Sequence, residues 1–193
     1  MNDTIFLTFD DGPDPDWTPR VLDALAAAQV TATFFVIGQC ARSTPALLRR
    51  AADAGHTIGN HTFSHRHPWT TNAREACREV TDGAAAIADI LGQPAKLYRP
   101  PHGRARRCMS EAAASLGEVE TLWDLSAIDW GMLGTSHRIE KRLSKVAPEQ
   151  IVLMHDGANR HNRPDQLLAV LPAFLANLQR CALRAVALTS RST

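Results

Sequence analysis

Apolar residues recur along this chain in short runs that alternate with longer stretches of helical spacing. The first run is Ile5-Phe6-Leu7-Thr8-Phe9, and Gly12-Pro13 forces a turn directly behind it. Runs of this kind predict seven strands, over 5–9, 31–37, 56–59, 97–99, 119–125, 150–155 and 183–188. The intervening patterns predict six helices, over 18–29, 43–54, 72–91, 108–116, 136–146 and 165–179. Thr18 as cap with Pro19 at the first helical position opens the first helix; Gly55, Gly92 and Gly117 stand just past three others. Strict alternation of strand and helix implies parallel strands joined by right-handed crossovers. The expected fold is α/β, either a closed β/α barrel or an open doubly wound sheet, with no linker or repeat. No Gly-x-Gly-x-x-Gly follows the first strand, so the dinucleotide-binding form of the open sheet loses its main support.

Composition narrows the class without naming a chemistry. A chain of 193 residues suits one domain that buries roughly 70% of its unfolded surface without disulfides. A formal net charge of +1 argues against a general nucleic-acid binder, because no global field gathers phosphate. Cys40, Cys77, Cys108 and Cys181 lie far apart in sequence with no Cys-x-x-Cys, which suits buried free thiols in a reducing compartment. Met1 is followed by polar residues and then the first strand, without the charged start and apolar core of a signal peptide and without an apolar stretch near 18 residues. The expectation is a protein without a membrane span, located in the cytoplasm.

Chemistry concentrates just behind the strands. Asp10-Asp11 closes the first; two adjacent carboxylates there cannot hide in a core without partners. Side chains alternate along a strand, so the pair reaches one site only if the turn re-aims one of them. His61-Thr62-Phe63-Ser64-His65 follows the third strand, and histidines four apart share a face on a helical turn, the separation one metal ion needs. His-x-x-x-His alone is common on surface helices; beside a carboxylate it becomes a two-His-one-carboxylate ligand set. Arg99-Pro100-Pro101-His102-Gly103 is a stiff turn able to aim Arg99 at a carboxylate and a backbone N–H at an oxyanion. Asp124-Leu125-Ser126-Ala127-Ile128-Asp129-Trp130 and Leu153-Met154-His155 leave the fifth and sixth strands. Each cluster alone reads as a turn, a cap or a satisfied histidine. Together they occupy C-terminal strand ends, where β/α folds place their sites.

These residues resemble the five ordered motifs of the polysaccharide deacetylase family, the NodB-homology group or carbohydrate esterase family four. The motifs are Thr8-Phe9-Asp10-Asp11-Gly12, His61 to His65, Arg99 to Gly103, Asp129-Trp130 and Leu153-Met154-His155, and the resemblance spans nearly the whole chain. It implies a distorted (β/α)7 barrel, similar to a TIM barrel, forming one catalytic domain over 1–193. It implies a metal-dependent hydrolase that removes N-acetyl groups from amino sugars of the N-acetylglucosamine type. By resemblance, Asp11, His61 and His65 hold one divalent ion, zinc first, with cobalt or another metal as the alternatives. Asp10 is the catalytic base, oriented by Arg99, and His155 the general acid. The His102 backbone N–H holds the oxyanion, Pro101 belongs to the same substrate-binding turn, and Trp130 and Leu153 line the acetyl pocket.

Two positions depart from the pattern. Where the family has Asp-x-x-Asp-Trp, with the first Asp tuning the acid histidine, this chain has Ser126, and Asp124 is the carboxylate expected to substitute. His102 stands where the family has an aromatic, often Tyr. The size of the chain favours a soluble acetylated amino-sugar oligosaccharide, as for chitooligosaccharide deacetylases, or a biosynthetic intermediate. Rival readings are a hydrolase of another small amide (a formamido sugar or an imide), a catalytically weakened carbohydrate-binding module, and a mononuclear iron oxygenase. The last leaves Asp10, Arg99 and His155 without roles. Arg104, Arg106 and Arg107 read as a solvated helix start.

Overall fold

Strand β1 (Thr4–Asp10) lies in the middle of the sheet in the computed structural model, which describes residues 3–189. On one side follow β2 (Thr33–Val36), β3 (Thr57–Asn60), β4 (Leu97–Tyr98) and β5 (Val119–Glu120). On the other lie β7 (Ile151–His155) and then β6 (Leu125–Ser126), while β8 (Arg184–Val186) pairs with the start of β1. Every pairing between these strands is parallel. The chain is thus the expected α/β protein with a barrel-like sheet, followed here over 3–189 of the 1–193 read from sequence.

The sheet has to curl. Edge strands β5 and β6 are six pairings apart, about 29 Å in a flat sheet. Yet only residues 121–124 separate them in the chain, a link of at most about 17 Å. The result is a half-barrel whose two edges face each other across a seam. Arg99, just behind β4, holds the link between these edges: Nε donates to the Thr121 carbonyl at 3.0 Å and Nη2 to the Leu122 carbonyl at 2.9 Å.

The period of two along β1 sorts its side chains. Ile5, Leu7 and Phe9 are fully buried in the core that the helices cover, beside Val21, Leu22 and Leu25 of α1 (Thr18–Ala27). Full burial of one such side chain contributes about 1.5–3 kcal/mol. On the other face, Phe6 packs with Phe35, Leu97, Leu188 and Ile151 in a smaller cluster. Above that apolar plug the same face turns polar at Thr8 and Asp10, both held by Arg99.

The remaining helices are α2 (Gly38–Ser43), α3 (Pro45–Asp53), α4 (Ala73–Leu91), α5 (Arg107–Ser115), α6 (Ser136–Leu143), α7 (Pro164–Leu168) and α8 (Leu171–Arg180). Four predicted elements are corrected. The strand expected over 119–125 divides into β5 and β6 on opposite edges, because the stretch between them crosses the seam; strict alternation fails there. The helix expected over 165–179 divides into α7 and α8, since Pro172 lacks the N–H that would continue it. Pro45 likewise starts α3 afresh after α2, which the sequence did not predict. Trp17, not Thr18, caps α1; the Thr18 hydroxyl is donated to buried Asp156 at 2.5 Å.

The cysteines are free, but Cys40, Cys77 and Cys108 are half-buried and Cys181 is exposed, so the expectation of buried thiols is also corrected. Packing of α4 on α5 places the Cys77 sulfur 3.3 Å from the Cys108 carbonyl. No helix among the described residues is long and apolar enough to cross a membrane.

Candidate active site

A cavity of about 310 Å³ opens at the C-terminal ends of β1, β3 and β7 and at the turn behind β4. Eight of the sequence-predicted residues line it: Asp10, Asp11, His61, His65, His102, Trp130, Leu153 and His155. Arg99 lies fully buried beneath them. Pro101 is buried in the 3-10 turn Pro101–Gly103 and does not line the cavity.

Asp10 and Asp11 reach this cavity by different means. Asp10 is the last residue of β1, on the inward-facing register with Thr8, and Arg99 Nη1 donates to its Oδ1 at 2.7 Å. Regular alternation would turn Asp11 to the opposite face. Its φ of 73° breaks the alternation and brings it back beside its neighbour. Gly157 allows this, because a Cβ there would collide with the Asp11 backbone and Cβ.

His61 and His65 do not share a helical turn, as the spacing suggested. They lie on the loop behind β3, with Thr62 at φ 65° and His65 at φ 56°, and the bent loop brings their rings to 4.8 Å. Asn60 sets the bend by accepting from the Thr62 N–H, and Glu79 of α4 holds Ser64 through both its N–H and hydroxyl at 2.7 Å. His61 Nδ1–H donates to the Arg99 carbonyl at 2.7 Å. A carbonyl only accepts, so the neutral ring presents a bare Nε2 on its other side.

That Nε2 faces Asp11 Oδ1 at 3.5 Å and Asp10 Oδ2 at 3.7 Å, and His65 Nε2 lies 3.3 Å from the same Asp11 Oδ1. On neutral His61 this is an acceptor facing acceptors. Asp11 Oδ1 is buried without a hydrogen-bond partner. Burial alone would push the Asp11 carboxyl up, yet His61, His65 and His155 hold it far below the usual carboxylate range. Burial also works against charge on His61, but Asp10 and Asp11 turn its shift upward; burial and His61 push His65 down to about 3. The cluster demands one positive charge at its centre. Three ligand atoms, from Asp11, His61 and His65, lie within 4.8 Å of one another, and two imidazoles with one carboxylate are a fitting donor set for a divalent ion.

His155 ends β7 across the cavity. Its Nδ1 donates to Asp129 Oδ1 at 2.8 Å, and its backbone N–H donates to Asp129 Oδ2 at 2.8 Å. Burial disfavours the charged ring, but the Asp129 carboxylate outweighs that and lifts the imidazole to about 9. This corrects the expected tuning residues. The Ser126 hydroxyl accepts from the Ile128 N–H, and exposed Asp124 accepts from the Ile151 N–H, so neither bonds to the ring. Asp129, directly after Ile128 at φ 49°, holds the ring instead. The Trp130 ring meets His155 edge-on at 5.3 Å.

Sequence reasoning missed further groups here. Asn159 and Asn162 donate their amides to Asp11 Oδ2 at 3.0 and 2.7 Å. Trp123 and His161 also line the cavity. Asn-x-x-Asn behind the strand-end His155 was the available signal. Asp11, Thr62, His65, His102 and Ile128 all carry positive φ around this one cavity. Such backbone costs about 1–3 kcal/mol per residue and gathers at functional sites.

Known proteins resemble this chain in sequence and in overall fold. Residues 1–119 match the family model described as polysaccharide deacetylase. The chain is 36% identical over 165 residues to a chitooligosaccharide deacetylase of Sinorhizobium fredii, covering 85% of this chain and 75% of that one. It is 33% identical over 184 residues to a peptidoglycan-N-acetylglucosamine deacetylase of Bacillus cereus, covering 94% and 84%. Among solved structures, a family 4 carbohydrate esterase from Streptomyces lividans in complex with acetate superposes with a TM-score of 0.87 at 31% identity, over 97% of this chain and 94% of that one.

Proposed function

Because this chain belongs to the polysaccharide deacetylase family, we propose that it hydrolyses the N-acetyl groups of N-acetylglucosamine-type sugars in an oligosaccharide, acting as one catalytic domain with one divalent ion, zinc first. The observation that carries this reading is the pairing across one cavity of a two-imidazole, one-carboxylate donor set with an imidazole held by a buried carboxylate. Amide hydrolysis needs both, since water must lose a proton and the departing amine must gain one.

Asp11, His61 and His65 are the residues to hold the ion. When bound, it supplies Lewis-acid polarisation of the acyl oxygen and acidifies water at neutral pH. Asp10, clamped by Arg99, accepts the water proton. His155 donates a proton to the sugar nitrogen from its cavity-facing side, while Asp129 keeps Nδ1 occupied. The backbone N–H of His102 is assigned to the acyl oxygen, and Trp130 and Leu153 are assigned to enclose the methyl group. The relatives' names divide between chitooligosaccharide and peptidoglycan, and an N-acetylglucosamine unit is what the two substrates share.

The test is acetate release from N-acetylglucosamine oligomers of defined length, with zinc or cobalt supplied and new amines counted. Acetate and amine should appear in equal amounts. Asp10→Asn should retain the metal and lose at least about 10²-fold in turnover. No acetate from any N-acetylated sugar by the metal-loaded protein would overturn the reading; formate from a formamido sugar would redirect it to another amide.

A further inference from the structure

The oxygen of Asp11 that points away from the histidines is as informative as the one that faces them. Oδ2 accepts two amide hydrogen bonds, from Asn162 Nδ2 at 2.7 Å and Asn159 Nδ2 at 3.0 Å. Oδ1 of the same carboxylate is buried and accepts none. One oxygen is therefore saturated by neutral donors, while the other is left bare toward His61 and His65.

The segment that delivers the amides, residues 157–163 behind β7, is tied to itself and to the neighbouring turn behind β6. Asn159 Oδ1 accepts from the His161 and Asn162 N–H groups at 2.7 and 2.9 Å, and Asn162 Nδ2 also donates to the Gly157 carbonyl at 3.0 Å. The Gly131 N–H donates to the His161 carbonyl at 2.7 Å and the Arg163 N–H to the Asp129 carbonyl at 2.8 Å. The amides are thus positioned by the turn that also carries Asp129.

We infer that Asn159 and Asn162 are positioning residues of the metal site: they occupy Asp11 Oδ2, so that Asp11 offers a divalent ion Oδ1 alone. This rests on the metal reading proposed above. A carboxylate free on both oxygens can rotate or chelate through both. One pinned by two donors has a single orientation, and part of its charge is drawn toward the amides. Groups of this kind orient metal ligands, and removing one typically costs 10–100-fold in metal affinity.

The experiment is zinc titration against a chromogenic chelator for the parent, Asn159→Ala, Asn162→Ala, the double variant and His61→Ala. Each Asn variant should bind zinc about 10-fold more weakly, and the double variant up to about 100-fold. Affinities within twofold of the parent in all three would overturn the inference while leaving the metal site standing. A parent that binds zinc no better than His61→Ala would overturn the metal reading and the clamp together. A crystal structure of the zinc-loaded parent decides the matter even if the variants fail to fold. Zinc on Oδ1 with both amides on Oδ2 is the expected result; chelation through both oxygens, or amides released from Oδ2, refutes it.

Discussion

His155 shows how one partner sets the availability of a proton. Burial disfavours imidazolium, Asp129 reverses this, and the ring titrates at about 9, above its ordinary 6.5. With the pKa raised on folding, the stability drawn from this pair is complete below about 6.5 and is lost as pH rises through about 9. The acid form follows the same direction, so turnover should fall along an alkaline limb. A cation held at Asp11 opposes imidazolium, which makes the difference between parent and variant the quantity to measure. Asp129→Asn should move the limb down by at least one pH unit and lower turnover at pH 8 about 10-fold or more. A pH–rate profile with the limb unmoved would remove Asp129 from this role. Asp10, Asp11, His61, His65 and His155 were legible in sequence because strand ends gather chemistry. Asp129 was named only as part of a motif, because the left-handed turn at Ile128 that aims it leaves no mark in residue type or spacing.

Elements legible in sequence were those with their own punctuation. Helix α4 begins where expected because Asn72 and Glu75 form a reciprocal cap, and it ends on Gly92 at φ 70°. The seam between β5 and β6 was not legible, since an apolar run does not record which neighbour each of its halves will meet. Gly83 makes the same point inside α4. Helix propensity alone says that Gly83→Ala stabilises by about 1 kcal/mol. In the fold, a Cβ at this position would lie 2.5 Å from Asn60 Oδ1 and 2.7 Å from the Thr62 carbonyl carbon, pressing on the loop of His61 and His65. The expected outcome is a loss of about 1–3 kcal/mol in denaturant unfolding, together with weaker zinc binding. A gain in stability would show that the loop yields freely.

The whole molecule is organised so that a ligand of this cavity joins distant parts of the chain. Residues 11, 61 and 65 belong to β1 and β3 neighbourhoods, so zinc at 100 times its Kd should add about 2.7 kcal/mol, a rise in Tm of roughly 5–10 °C. Thermal melting with and without zinc measures this, and His61→Ala should abolish the rise. The all-parallel architecture was legible from alternation and its curl only from the family resemblance, whereas the way it closes was legible from neither. Most barrels complete themselves with one more rung of backbone hydrogen bonds. Here the link between β5 and β6 is instead fastened by Arg99, two of whose nitrogens hold the Thr121 and Leu122 carbonyls while a third holds Asp10. A displacement of that link would therefore pull on the carboxylate at the floor of the cavity. One side chain thus fastens both the strip of chain that joins the two edges of the sheet and the carboxylate assigned to take the water proton.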